Sequence, residues 1–362
     1  MGNSCKCISK LDSRSQNKKL KFNQPLPEKK DKNKAIRWER IMKAYSDYEN
    51  PIEAFKKEDN DKFCSYLSEG PPAHLRWLAW KAAFSAHGHV KIDETEREDT
   101  YSIEKDLSRT FPNQSFFANP LGQTYLKTVL VSMVNNHPEL GYCQGMNSLA
   151  GILLIVSKGN VTESYEILEK ICWGMGGKGL FEYGFPLVVD LCQEFHRALS
   201  EKIPTIHKFF QELELDDNLW ITKWFMTLFS YSFHLDCVVR IWDAIFAYGL
   251  GFMVNIALGL VSYLKHDLLG KSLGDMLEFL PELKEMYVDI DMVLFHSSKF
   301  QLRKFEINVE SEAGPETLKD EMDSEEPIHT RWDATNYSHQ HSRSMMEEFS
   351  LSSPSNISKF SL

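Results

Sequence analysis

The 362-residue sequence predicts an all-α protein, a single helical domain flanked by disordered N- and C-terminal arms. Three observations predict it. Between about Ala35 and Phe300, apolar residues return every three or four positions and alternating strand-like runs are almost absent. Hydrophobic residues make up 43% of the chain and charged residues 25%, a balance that supports a large buried core. Composition then changes abruptly at both ends, where apolar side chains thin out and charge of one sign takes over.

The elements follow in order. Residues 1–35 read as a basic flexible arm: eleven Lys and Arg residues stand between Met1 and Arg37 against Asp12, Glu28 and Asp31. Its first residues, MGNSCKC, offer Gly2 for myristoylation once Met1 is removed, although Lys6 replaces the usual serine or threonine. Cys5 and Cys7 could take palmitate, and stable anchoring combines two such signals or one chain with a basic patch. Residues 36–69 form a helical lead-in and residues 70–300 the main domain. Within it, Pro112 ends the helix suggested by SIEKDLSRTFP, placing Ile103, Asp106 and Leu107 on one face and Arg109 close to the helix end. Asn119-Pro120 caps the next helix, with Leu121, Tyr125, Val129 and Met133 marking a face until Asn135-Asn136-His137-Pro138 stops it. Gly145 precedes MNSLAGILLIVS, a helix buried on most sides that ends at Lys158-Gly159, so Gln144 sits at a helix start.

Ala244 to Leu264 carries no charge and approaches the roughly 20 apolar residues that cross a bilayer. Gly249 and Gly251 divide it, however, and Asn255 lies inside, as expected of two core helices joined by a turn. From Glu306 to Pro327 nine acidic residues face Lys319 alone, and residues 301–362 read as an acidic and polar disordered tail.

Composition also excludes several functions. A formal charge of −10, with no basic cluster in the folded middle, argues against nucleic acid as a partner. The seven cysteines lack paired metal-site or redox spacing and the histidines are scattered, so no metal is expected. The basic, polar N-terminus carries no secretory signal, which points to a cytoplasmic protein. WGMGGKGLFEYG is a loop rather than a phosphate cradle, because Lys178 is followed by Gly179 instead of Ser or Thr.

Five blocks in fixed order carry the functional signal: Gly70-Pro71-Pro72 with Arg76 and Trp80, then IEKDLSRTFP, then YCQGMN, then W-x-x-x-W-F-x-x-x-F from Trp220 to Phe229, and R-I-W-D from Arg240 to Asp243. Together they closely resemble the TBC domain of Rab GTPase-activating proteins, over about Gly70 to Leu280. The resemblance implies a TBC-type helical domain in which Arg109 and Gln144 are the two catalytic fingers. Asp106 pairing with Arg109 across one turn, Tyr142 packing against the loops, Ile103 and Gly145 would support them. The pattern departs at Ser232-Phe233-His234, where family members usually carry a proline after S-L. Taken singly, Arg109 reads as a surface arginine and Gln144 as a capping or loop side chain; only the joint pattern points to catalysis. Trp77, Trp80, Trp173, Trp220, Trp224 and Trp242 read as core anchors, and Arg240 with Asp243 as a structural pair.

The implied chemistry is physically coherent. GTP hydrolysis builds charge on the transferring phosphoryl oxygens, and an inserted guanidinium accelerates it by about 10³ to 10⁵. A glutamine amide, which both donates and accepts, can hold the attacking water. The implied partner is a Rab-family small GTPase in its GTP-bound form, which carries GTP and Mg²⁺ itself, so the chain needs no cofactor. Two other readings stay open: a non-catalytic Rab-binding scaffold, and an adaptor tethered to the cytosolic face of a membrane through the N-terminal arm.

Overall fold

Proline or asparagine opens α-helices at Pro51, Pro120, Asn160, Pro186 and Pro204, and glycine closes others at Gly70 and Gly249. The structure, a computed structural model, describes residues 28–95 and 101–300. Residues 1–27 of the predicted arm, with Gly2, Cys5 and Cys7, and the tail from 301 lie outside the described residues. Among those described every regular element is helical, so the all-α expectation holds.

Three helices, α1 (Glu28–Ala44), α2 (Pro51–Glu58) and α3 (Asn60–Glu69), precede α4 (Ala73–Phe84), the first helix of the main domain. Helix α1 begins inside the stretch read as arm, because EKKDKNKA is made largely of good helix formers but shows no apolar face until Ile36 and Trp38. Trp38, Ile41, Phe55, Phe63 and Leu67 are buried in the same core as the rest of the chain, and α3 packs along α13 (Leu235–Tyr248).

Helices α5 (Tyr101–Leu107), α6 (Ser115–Ala118), α7 (Pro120–Asn136), α8 (Met146–Ser157) and α9 (Val161–Cys172) follow. The α7 cap is the expected one: the Asn119 side chain accepts from the Leu121 amide at 3.0 Å, with Pro120 as first residue. Its buried face is set by Leu126, Val129, Leu130 and Met133, whereas Leu121 is exposed, since the first turn projects past the core. Helix α8 is the centre of the layer and packs on α4, α5, α7 and α9. Its Met146, Leu149, Ile152, Leu153 and Leu154 are fully buried, each contributing about 1.5–3 kcal/mol from apolar transfer. The helix ends at Lys158 in the left-handed conformation, at φ 58°.

The second half contains α10 (Pro186–Lys202), α11 (Pro204–Glu212), α12 (Ile221–Met226), α13, α14 (Phe252–Tyr263), α15 (Lys265–Leu268), α16 (Leu273–Glu282) and α17 (Ile290–Ser298). The uncharged stretch from Ala244 is divided between α13 and α14 at Gly249, φ 87°, and α14 lies against α10, α13 and α17. Among the described residues no helix is long and apolar enough to cross a membrane.

Candidate functional site

Arg109 and Gln144 both occupy turns, and the two turns are fastened to each other. Helix α5 ends at Leu107, and the chain turns through Ser108 and Arg109, with the Arg109 and Thr110 amides donating to the Asp106 carbonyl at 3.2 and 3.0 Å. Arg109 is exposed, whereas Ile103, Asp106 and Thr110 beside it are buried. Ile103 thus anchors the helix in the core and the turn presents the arginine outward. Gln144 is half-buried and lies two residues before the first residue of α8.

Two hydrogen-bond links join these turns. The Tyr142 hydroxyl donates to Asp106 Oδ2 at 2.7 Å. Asn147 Nδ2 donates to Thr110 Oγ1 at 2.8 Å, the Thr110 hydroxyl donates to the Asp106 carbonyl at 2.6 Å, and Asn147 Oδ1 accepts the Gly145 amide at 3.0 Å. The Tyr142 phenol is pushed well above its usual range, first by burial and then by the Asp106 charge, and so remains a donor. Burial likewise raises the neighbouring Cys143 thiol to about 12, which leaves it protonated and unreactive. Gly145 has φ 115° and ψ −35°, a conformation that a residue with a Cβ adopts only under strain. Phe111, at φ 45°, turns its ring onto Gly151 of α8, where a Cβ would lie 2.8 Å from it.

The structure places Ile103, Asp106, Tyr142 and Gly145 beside the two turns. Asp106 gives its carboxylate to Tyr142 across 36 positions of sequence, a longer reach than the local turn suggests. Thr110, Phe111 and Asn147 were not singled out in the sequence. A lone Asn within the apolar run MNSLAGILLIVS was the available signal, because a buried amide requires partners.

A separate buried network ties α4 to α13. Asp243, fully buried, accepts from Arg76 Nε at 3.2 Å, Trp80 Nε1 at 2.8 Å and Arg240 Nη1 at 2.9 Å. Arg240 Nη2 also donates to the Ser68 carbonyl at 3.2 Å and Asp291 Oδ1 at 3.1 Å. Gly70 lies over this guanidinium, where a Cβ would come within 2.6 Å of Nη1. The expected Arg240–Asp243 pair is present, with Arg76 and Trp80 joined to it. Trp220 and Trp224 are buried edge to face at 5.0 Å, while Trp77 and Trp173 are only partly buried: Trp77 Nε1 donates to Glu163 at 2.6 Å and Trp173 stacks on His137. Where a proline was expected, His234 caps α13, its Nδ1 accepting from the Asp236 amide at 3.4 Å, and Phe233 packs on Trp224.

The Rab-GTPase-TBC domain model matches residues 74–269, more than half of the chain. A Rab GTPase-activating protein of Caenorhabditis elegans, eat-17, is 27% identical over 248 residues, 65% of this chain and 27% of that protein. The GTPase-activating protein GYP5 of Saccharomyces cerevisiae is 27% identical over 224 residues, 60% of this chain and 24% of its own length. The chain spans about a quarter of the length of these two relatives. The growth hormone-regulated TBC protein 1-A of Danio rerio is 28% identical over 252 residues, covering 65% of this chain and 67% of that protein. Among solved structures, the Chlamydomonas flagellar RabGAP TBC domain superposes with a TM-score of 0.59 at 20% identity, over 76% of this chain and 96% of that one. The Ypt/Rab-GAP domain of Gyp1p gives 0.59 at 16% identity, over 74% and 97%, so both share the fold. By the family match and the helical architecture together, the chain belongs to the Rab-GTPase-TBC domain family.

Proposed function

We propose that this chain accelerates GTP hydrolysis by a Rab-type small GTPase in its GTP-bound form, with Arg109 and Gln144 supplied in trans, and so limits a signal in vesicle traffic. The carrying observation is the pair of links, Tyr142 to Asp106 and Asn147 to Thr110, that hold the two turns as one unit. Preorganisation of this kind matters because a displacement of about 1 Å can cost a hundredfold in rate. Arg109, exposed on its turn, neutralises charge that develops on the phosphoryl oxygens, and the Gln144 amide orients the attacking water. GTP and Mg²⁺ belong to the partner.

Hydrolysis by a panel of purified Rab proteins, with catalytic amounts of the chain, tests the reading. Acceleration by the wild type, lost by about 10³-fold in Arg109→Ala with binding to the GTP form retained, is the expected result. Binding without acceleration by the wild type makes the chain a scaffold instead.

The same proposal extends to the N-terminus, where Gly2, Cys5, Cys7 and the basic residues up to Arg37 supply the two signals that membrane anchoring needs. Acylation would place the chain on the cytosolic face of a membrane, beside a membrane-bound GTPase. Labelled myristate that still transfers to a Gly2→Ala variant excludes it.

A further inference from the structure

The glycine-rich stretch 173–185, which matches no nucleotide-binding motif, runs beside the loop that carries Gln144 and approaches it at two places. At its start the Trp173 ring stacks on His137, with centroids 3.8 Å apart and planes 28° from parallel, just after α7. Farther along, the Phe181 ring lies 3.9 Å from the point where Gly145, next to Gln144, would carry a Cβ. Phe181 and Phe185 are 4% and 2% exposed and peg the turn into the core, while Tyr183 between them is 70% exposed.

The turn itself is tightly built. The Phe181 and Glu182 amides donate to the Lys178 carbonyl at 2.9 and 3.1 Å, the Phe185 amide donates to the Glu182 carbonyl at 2.9 Å, and Lys178 pairs with Glu182 at 2.9 Å. Gly184 and Phe185, at φ 82° and 51°, fix the direction in which the chain leaves. An exposed aromatic on a mobile loop needs no explanation, but one carried on an ordered backbone turn has less ordering entropy to lose on binding, as suits interface hot spots rich in Tyr.

We infer that Tyr183 is a contact residue for the GTP-bound small GTPase, its ring packing on an apolar side chain beside the partner's nucleotide pocket, and that it contributes to partner choice. The inference rests on the two-finger reading: a GTPase whose nucleotide is reached by Gln144 is brought against the turn whose Phe181 ring lies near Gly145. Tyr183 acts on binding and takes no part in the hydrolysis step.

The test is single-turnover hydrolysis by GTP-loaded Rab-type GTPases against increasing concentrations of the full chain. On a GTPase that the wild type accelerates, Tyr183→Ala and Tyr183→Lys raise the half-saturating concentration about tenfold or more, leave the saturated rate within about twofold, and leave the thermal midpoint unchanged. Tyr183→Phe, which keeps the ring, stays closer to the wild type. Unchanged half-saturation in Tyr183→Ala, or a lowered saturated rate with unchanged half-saturation, overturns the role of Tyr183 and leaves the two fingers standing. A wild type that neither binds nor accelerates any GTPase of the panel overturns both.

Discussion

Asp106 is the residue on which the arginine turn hangs, because its carbonyl holds Arg109 and Thr110 and its carboxylate holds Tyr142. Tyr142→Phe removes one donor from a buried carboxylate, at a cost of about 1–3 kcal/mol in urea unfolding, and also lowers the saturated rate. Unchanged stability and rate in that variant would mean that the bond holds nothing. Glu169 gives a pH-dependent check on the neighbouring loop. Its carboxyl is held below the usual range by the hydrogen bond to His137, with burial opposing and the Tyr165 hydroxyl assisting. A folded-state pKa below the unfolded value of about 4.3 stabilises the fold above that pH, and the contribution disappears as pH falls through the folded value. Glu169→Gln is therefore less stable than the wild type at pH 6, and the difference in urea midpoint closes as pH is lowered below about 4.3. The sequence allowed Arg109, Gln144 and Tyr142 to be read as residues, because motif spacing is local. It did not show which atoms meet, since the Asp106–Tyr142 and Thr110–Asn147 bonds span 36 and 37 positions and depend on how α5 crosses α8.

Helix α8 supports both turns, and its one small residue facing the arginine turn is a sensitive point. At Gly151 an added Cβ would lie 2.8 Å from the Phe111 ring and 3.1 Å from Thr110 Cγ2, so Gly151→Ala must push the arginine turn outward. The expected loss is about a hundredfold in saturated rate for a shift of about 1 Å, with the far-ultraviolet spectrum of the helices unchanged. Full activity in Gly151→Ala would show that the turn adapts without cost. Element boundaries were legible at several points of chemical punctuation: Asn119-Pro120, Lys158-Gly159 and Gly249 mark ends in both sequence and structure. Boundaries without such punctuation were not, as at Glu28, where helix formers continue without an apolar stripe. Trp77 and Trp173 show the same limit: neighbouring apolar residues suggested the core, but each indole sits at a rim where it meets Glu163 or His137.

Across the whole molecule the lead-in is part of the folding unit. Trp38, Phe55, Phe63 and Leu67 are buried in the common core, and Arg240 of α13 donates to the Ser68 carbonyl. Removing residues 1–69 strips α3 from α13 and discards buried side chains worth about 1.5–3 kcal/mol each, against a total stability of about 5–15 kcal/mol. Residues 70–300 are therefore expected to lose cooperative urea unfolding, whereas residues 28–300 keep it. A sharp transition in the shorter fragment would refute that. No local pattern shows this dependence, because the Arg240–Ser68 bond joins residues 172 positions apart. The links between the arginine and glutamine turns differ in kind, since every residue in them comes from the single stretch 101–157. That stretch is heritable as a cassette. An exchange of coding sequence upstream or downstream of it, the Tyr183 turn included, leaves Arg109 and Gln144 on one piece of chain, so new surroundings can be acquired without parting the two.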